Sequence, residues 1–133
     1  MDGTDALAAI ETAEYFLDAL NYGIESGDTR PLAAVSASKC ESCSSFAKSI
    51  TAREEKGQWQ VGGTLRYEGA TIPENYESLT TIPVQFETHQ LEIVLYSKDN
   101  RELTRQPSKD TYLHVDVILE GNKWVVENLR KVS

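Results

Sequence analysis

The chain has 133 residues, 40% of them hydrophobic and 26% charged, with a formal net charge of -8. That length builds one domain around one core, and the acidity excludes nucleic acid as a partner, because phosphate contacts need a basic patch. The 13 Lys and Arg residues form no basic run suited to anionic lipid, and no apolar stretch approaches the ~20 residues of a membrane-spanning helix.

The first predicted element is a long amphipathic helix starting at Thr4 or Asp5, either of which offers a capping oxygen. Ile10, Ala13, Leu17, Leu20 and Ile24 recur at helical steps and form its apolar stripe, widened by Tyr15 and Phe16. Ser26-Gly27 ends it, with Gly27 as a left-handed cap. Asp28 or Thr29 then caps a short helix that carries Pro31 in its first turn and leaves Leu32 and Val35 to bury. Ser38 and Glu41 form an S-x-x-E capping box for a third helix, whose buried face is Cys43, Phe46, Ala47 and Ile50 and whose charged end precedes Gly57.

From Trp59 the period changes to two, the signature of sheet. Trp59, Val61, Leu65 and Tyr67 share one face, with a bend or bulge at Gly62-Gly63. Residues 69–81 read as a loop with one helical turn. Val84, Phe86 and Thr88 share the face of a second strand, and Leu91, Ile93 and Leu95 continue in the opposite phase. That slip near His89-Gln90 requires a bulge or a break. Lys98-Asp99-Asn100 is a turn, Arg101 to Gln106 a short polar strand, and Pro107 to Asp110 a breaker. Tyr112 to Glu120 is the clearest strand, with Leu113, Val115, Val117 and Leu119 on one face. Gly121-Asn122 turns into the last strand, which carries Trp124, Val126 and Leu129. The expectation is an α+β domain over residues 1–133: three N-terminal helices packed on a curved antiparallel sheet of four to five strands, bent around the first helix.

The run FLDALNYGIESGDTRPLAAVSASKCESCSSFAKSI resembles the N-terminal motif of a family of exported actinobacterial lipoproteins of unknown function. The matching residues include Tyr15, Phe16, Leu17, Asn21, Tyr22, Gly27-Asp28-Thr29, Pro31-Leu32, Ser36, Cys40, Ser42, Cys43 and Phe46. The resemblance implies the cone-shaped nuclear transport factor 2-like, or cystatin-like, fold and an export route. It implies no reaction, since that fold serves isomerases, dehydratases, transport factors and dimerisation modules alike. The lipobox cysteine of such lipoproteins is missing here, so the anchor is inferred from a presumed truncation.

Cys40 and Cys43 are the only cysteines, and four readings of them compete: a structural disulfide, a redox-active dithiol, half of a zinc site completed by His89 and His114, or two free thiols. An oxidising compartment and the close spacing favour the disulfide. His114 and Asp116, two apart on a strand beside Tyr112, have the residue types of an acid–base pair, yet alternation puts them opposite the core-facing Leu113, Val115 and Val117. The aromatic set Tyr15, Phe16, Tyr22, Trp59, Tyr67, Phe86 and Trp124 either lines a pocket under the first helix or fills the core.

These observations point to a non-catalytic exported binding or interaction domain at the cell envelope, the mature part of a lipoprotein. The alternative is a small-molecule-binding cone or an acid–base enzyme of the isomerase or dehydratase kind, with its pocket under the first helix. Tyr112, His114, Asp116 and Ile118 form the expected interaction surface, for an unknown protein or small molecule or for a homodimer through the sheet face. No catalytic residue, cofactor or metal is expected, and membrane contact is expected only through a lipid anchor.

Overall fold

The computed structural model describes the backbone of residues 3–132 and the side chains of residues 6–131. Three helices, α1 (Gly3–Ser26), α2 (Arg30–Ala34) and α3 (Glu41–Glu55), precede seven strands. These are β1 (Trp59–Val61), β2 (Leu65–Thr71), β3 (Ile82–Gln90), β4 (Ile93–Tyr96), β5 (Glu102–Gln106), β6 (Lys109–Glu120) and β7 (Lys123–Val132). The strands form two antiparallel sheets, β2-β3-β6-β7 and β1-β4-β5. The α+β architecture is as expected, but the strand count is higher and the single curved sheet is divided.

The division has a local cause. β1 and β2 run as one arm of a ribbon and β3 and β4 as the other, with Val61 opposite Val94 below the bend and Leu65 opposite Gln90 above it. Gly62 and Gly63 take φ of 77° and 86°, and a Cβ on Gly62 would lie 1.8 Å from the Glu92 carbonyl oxygen. Only glycine permits this approach. The phase slip after His89 is therefore a strand break, and both arms leave one sheet for the other at the same level. Trp59 and Val61, expected to share a buried face with Tyr67, consequently lie beyond the helices, and Trp59 stacks on Tyr96 at the surface.

The core forms where α1 crosses the helix-facing side of the four-stranded sheet. Ala13, Phe16, Leu17 and Leu20 pack with Ile82, Val84, Phe86, Val115, Val117 and Val126, all deeply buried. Ile10 and Ile24 flank this stripe half-buried, while Tyr15 points to solvent instead of widening it. Asn21 ties α1 to the outer edge of β2: its amide donates to the Leu65 carbonyl at 2.9 Å and its carbonyl accepts the Leu65 N–H at 2.8 Å. One side chain thus stands in for a neighbouring strand and blunts an exposed edge.

The helix ends obey the expected chemistry with one change. Gly27, at φ 79°, closes α1. At α2 the side chain of Asp28, and not that of Thr29, accepts the Arg30 N–H, and its carboxylate also takes the Arg30 Nε and Nη2 at 2.9 Å each. The capping box Ser38–Glu41 does not form. Ala37 is locked to the sheet by donating to the Val126 carbonyl at 2.8 Å, so α3 starts later, with Cys40 as N-cap. The helical backbone already runs through Thr4 and Asp5, and the cap expected of them lies outside the described side chains.

Two measurements check these assignments. Asn21→Ala leaves both Leu65 backbone groups without their partner and should cost about 1–3 kcal/mol in urea unfolding. The Arg30 hydrogen bonds hold the Asp28 carboxyl at about 2, below its ordinary 3.8. Its contribution is therefore complete above pH 3.8 and lost as pH falls towards 2. The melting temperatures of the wild type and Asp28→Asn should differ at neutral pH and converge near pH 2.

Candidate functional site

Strand alternation gives the four-stranded sheet a second face, turned away from the helices. Cross-strand register sets its residues in rows. Arg66, His89 and Asp110 form one row, and Glu68, Glu87 and Tyr112 form the next. Both rows line an open groove of about 870 Å³. His89 Nδ1 and Asp110 Oδ1 are 2.5 Å apart, and Tyr112 is 46% exposed. Glu68 sits directly opposite Glu87, an unfavourable like-charge pairing. Among the described residues no ion pair engages Arg66, Glu68 or Glu87.

Beyond Tyr112 on the same face, four side chains from three strands form a hydrogen-bonded chain. Arg130 of β7 grips Asp116 of β6 with both arms, Nε to Oδ2 at 2.7 Å and Nη2 to Oδ1 at 2.9 Å. Its Nη2 also donates to His114 Nδ1 at 3.1 Å, and His114 Nε2 lies 2.8 Å from Gln85 Oε1 on β3. A guanidinium only donates, so Nδ1 is an acceptor, Nε2 carries the proton and donates to Gln85, and the ring is the neutral Nε2–H tautomer. The hydrogen bonds it donates to Asp116 push Arg130 further above its ordinary range. His114 and Asp116 are thus brought into one network, but they do not form the dyad an acid–base reading needs. The carboxylate holds the guanidinium and leaves the imidazole unoriented by any acid.

Asp116 is only 7% exposed, because the sheet and the Arg130 stem cover it. Ile118, expected at the surface, is half-buried and packs against the core. The exposed part of the face is therefore Tyr112 with its two charged rows and the Arg130 guanidinium, with His114 between them. Arg130 was absent from the sequence-based set. Plain hairpin register from the Gly121-Asn122 turn places Leu129 opposite His114, and a one-residue shift between Asp116 and Val117 puts Arg130 there instead.

Cys40 and Cys43 are joined by a disulfide, with Cα atoms 5.3 Å apart, and both are buried. The free-thiol and zinc readings fail on this geometry: the sulfurs bind each other, and His89 and His114 are engaged elsewhere on the outward face. Aromatic side chains pack beneath α1. Phe16 and Phe86 are fully buried, Tyr67 packs edge-on to Phe86 with centroids 5.3 Å apart, and Tyr15, Tyr22 and Trp59 lie at the surface. The Tyr67 hydroxyl donates to Asp18 Oδ1 at 2.7 Å, and burial, followed by that hydrogen bond, pushes the phenol well above its ordinary range. It is a latch between α1 and β2.

Removing Arg130 strands a nearly buried carboxylate. Arg130→Ala should destabilise the fold by about 1–3 kcal/mol in urea unfolding, less than a fully buried pair because the guanidinium is half in water. Asp116→Asn in the Arg130→Ala background should recover most of that loss, since a neutral amide tolerates the site better than an unpaired charge.

The fold is shared with solved structures of low sequence identity. The intermembrane space region of the chloroplast protein ARC6 superimposes with a TM-score of 0.61 at 11% identity, covering 100% of this chain and 98% of that one. A protein of unknown function with a cystatin-like fold from Nostoc punctiforme gives 0.53 at 15% identity, over 98% and 92% of the two chains. A putative scytalone dehydratase from Novosphingobium aromaticivorans gives 0.59 at 12% identity, over 99% and 89%. These likenesses show the nuclear transport factor 2-like, cystatin-like fold and nothing of activity. No curated protein matches the chain. The profile of DUF6318, a family of unknown function, matches residues 1–130, and the chain belongs to that family.

Proposed function

We propose that this protein is a non-catalytic interaction domain of the bacterial cell envelope, the mature part of a lipoprotein, and that a protein partner docks on the outward face of its four-stranded sheet. The observation that carries this reading is the open groove of about 870 Å³ lined by the Arg66–His89–Asp110 and Glu68–Glu87–Tyr112 rows. It is broad, lies across strands rather than inside the cone, and carries uncompensated charge of both signs. Mixed charge of this kind fixes the register of a protein partner and slows wrong ones, and an exposed Tyr supplies an anchor of the type that dominates interface energies. The aromatic packing beneath α1 supports the non-catalytic side of the reading over the small-molecule cone. The envelope placement rests on the N-terminal motif and on the disulfide, a form that persists outside the reducing cytosol.

The test uses the full gene product in its native cells. A photo-reactive residue at Tyr112 or Arg66 should yield crosslinked protein adducts on illumination, and one at Glu25 on the helical side should not. Arg66→Glu should weaken the Tyr112 adduct. Adducts as abundant from Glu25 as from Tyr112 would sink the assignment. Metabolic labelling with a fatty acid checks the anchor separately, because it reads the lipid and not the sheet.

A further inference from the structure

The disulfide lies on one side of the sheet and the His114 chain on the other, and Ser42 stands between them. The Cys40–Cys43 bridge encloses Glu41 and Ser42 in the first turn of α3, which meets the free edge of β7. The Ser42 hydroxyl donates to Asn128 Oδ1 at 2.9 Å and accepts the Leu129 N–H at 3.0 Å. Both contacts fall immediately after the β6–β7 register shift, where β7 has slipped by one residue. The next residue is Arg130, the one that reaches Asp116 and His114. On the other side of the shift, Val126 is held by the Val35 carbonyl and the Ala37 N–H at 2.8 Å each. The bulge is therefore clamped before and after, and Ser42 is the clamp nearest the site.

We infer that the Cys40–Cys43 bridge, acting through Ser42, sets the position of Asn128 to Arg130 and so holds His114 in its Nε2–H tautomer on the opposite face. Ser42 is a positioning residue in this arrangement. A dithiol that opens the bridge breaks the S–S bond and supplies two electrons and two protons, leaving thiols at Cys40 and Cys43 while it closes to its own disulfide. The first turn of α3 then loses its cross-link, Ser42 leaves β7, and Arg130 is free to move away from His114. The outward face becomes redox-sensitive although no sulfur lies on it. The coupling is internal to the chain and independent of any partner.

The test follows the backbone amide of Leu129 by hydrogen exchange and the His114 ring nitrogens by NMR, in the full chain, with His89 as the reference imidazole. In Ser42→Ala, and in the wild type treated with a dithiol, the Leu129 amide should exchange about tenfold faster. The His114 nitrogens should move from the resolved Nε2–H pattern towards an average of tautomers. Ser42→Thr, which keeps the hydroxyl, should restore both signals. Methyl signals of Val84 and Val115 should stay in place throughout, showing an intact core. Unchanged Leu129 exchange and an unchanged His114 pattern, on reduction or in Ser42→Ala, would overturn the inference. So would loss of the Val84 and Val115 signals together with Leu129 on reduction, because the bridge would then hold the whole fold and not this latch.

Discussion

The last strand has one edge paired with β6 and the other facing no strand, and the way that edge is satisfied governs much else in the molecule. A free edge exposes donors and acceptors that either find partners or invite another chain. Here the connection from α2 to α3 and the first turn of α3 supply them: the Val35 carbonyl, the Ala37 N–H and the Ser42 hydroxyl bind Val126 and Leu129. The spacing of those contacts is three residues rather than two because β7 is bulged between them. The same bulge turns Arg130 to the face bearing Asp116 and His114. Edge protection, helix placement and the composition of the outward face thus have one origin.

A second constraint is the ribbon bend at Gly62-Gly63. It carries β1, β4 and β5 away from the helices, so the helical layer has only the four-stranded sheet to cover. α1 crosses it, with Phe16, Leu17 and Leu20 packed among Val84, Phe86 and Val115, and α3 packs on β7. Two buried phenylalanines, Phe16 and Phe86, occupy the space under the first helix.

Much of this was legible in the residues. The helical stripe of α1, the Gly27 end, the Pro31 start, the Gly pair, the phase slip and the Gly121-Asn122 hairpin each have a local physical cause and appear where that cause puts them. The misplaced features depend on contacts distant in sequence. The Ser38–Glu41 box is locally sound, but Ala37 is claimed by Val126, and the helix starts later. Trp59 has the alternation of a core residue and lacks a helix to cover it. Arg130 is the instructive case. The apolar positions Trp124, Val126 and Leu129 step by two and then by three, which is itself the mark of a bulge. Followed through, that odd step moves Arg130 onto the face of His114. The side chain that completes the network was visible as a break in rhythm.

The outward face combines a rigid part and an adaptable part. Gln85, His114, Arg130 and Asp116 use one another's donors and acceptors, and a satisfied network of this kind resists rearrangement. The rows ending in Asp110 and Tyr112 are the opposite: Arg66, Glu68 and Glu87 are exposed and without an ion pair among the described residues. Setting Glu68 against Glu87 costs the free protein a little stability, and a cationic group arriving on that row relieves the repulsion as it binds. In the proposed docking such a site would discriminate by charge more than by apolar burial, which makes association fast and salt-sensitive. Arg66, Lys109 and Lys131 supply the positive charge along the groove, and Glu68, Glu87 and Asp110 the negative. The proposed partner would therefore carry charges of both signs, complementary to these rows.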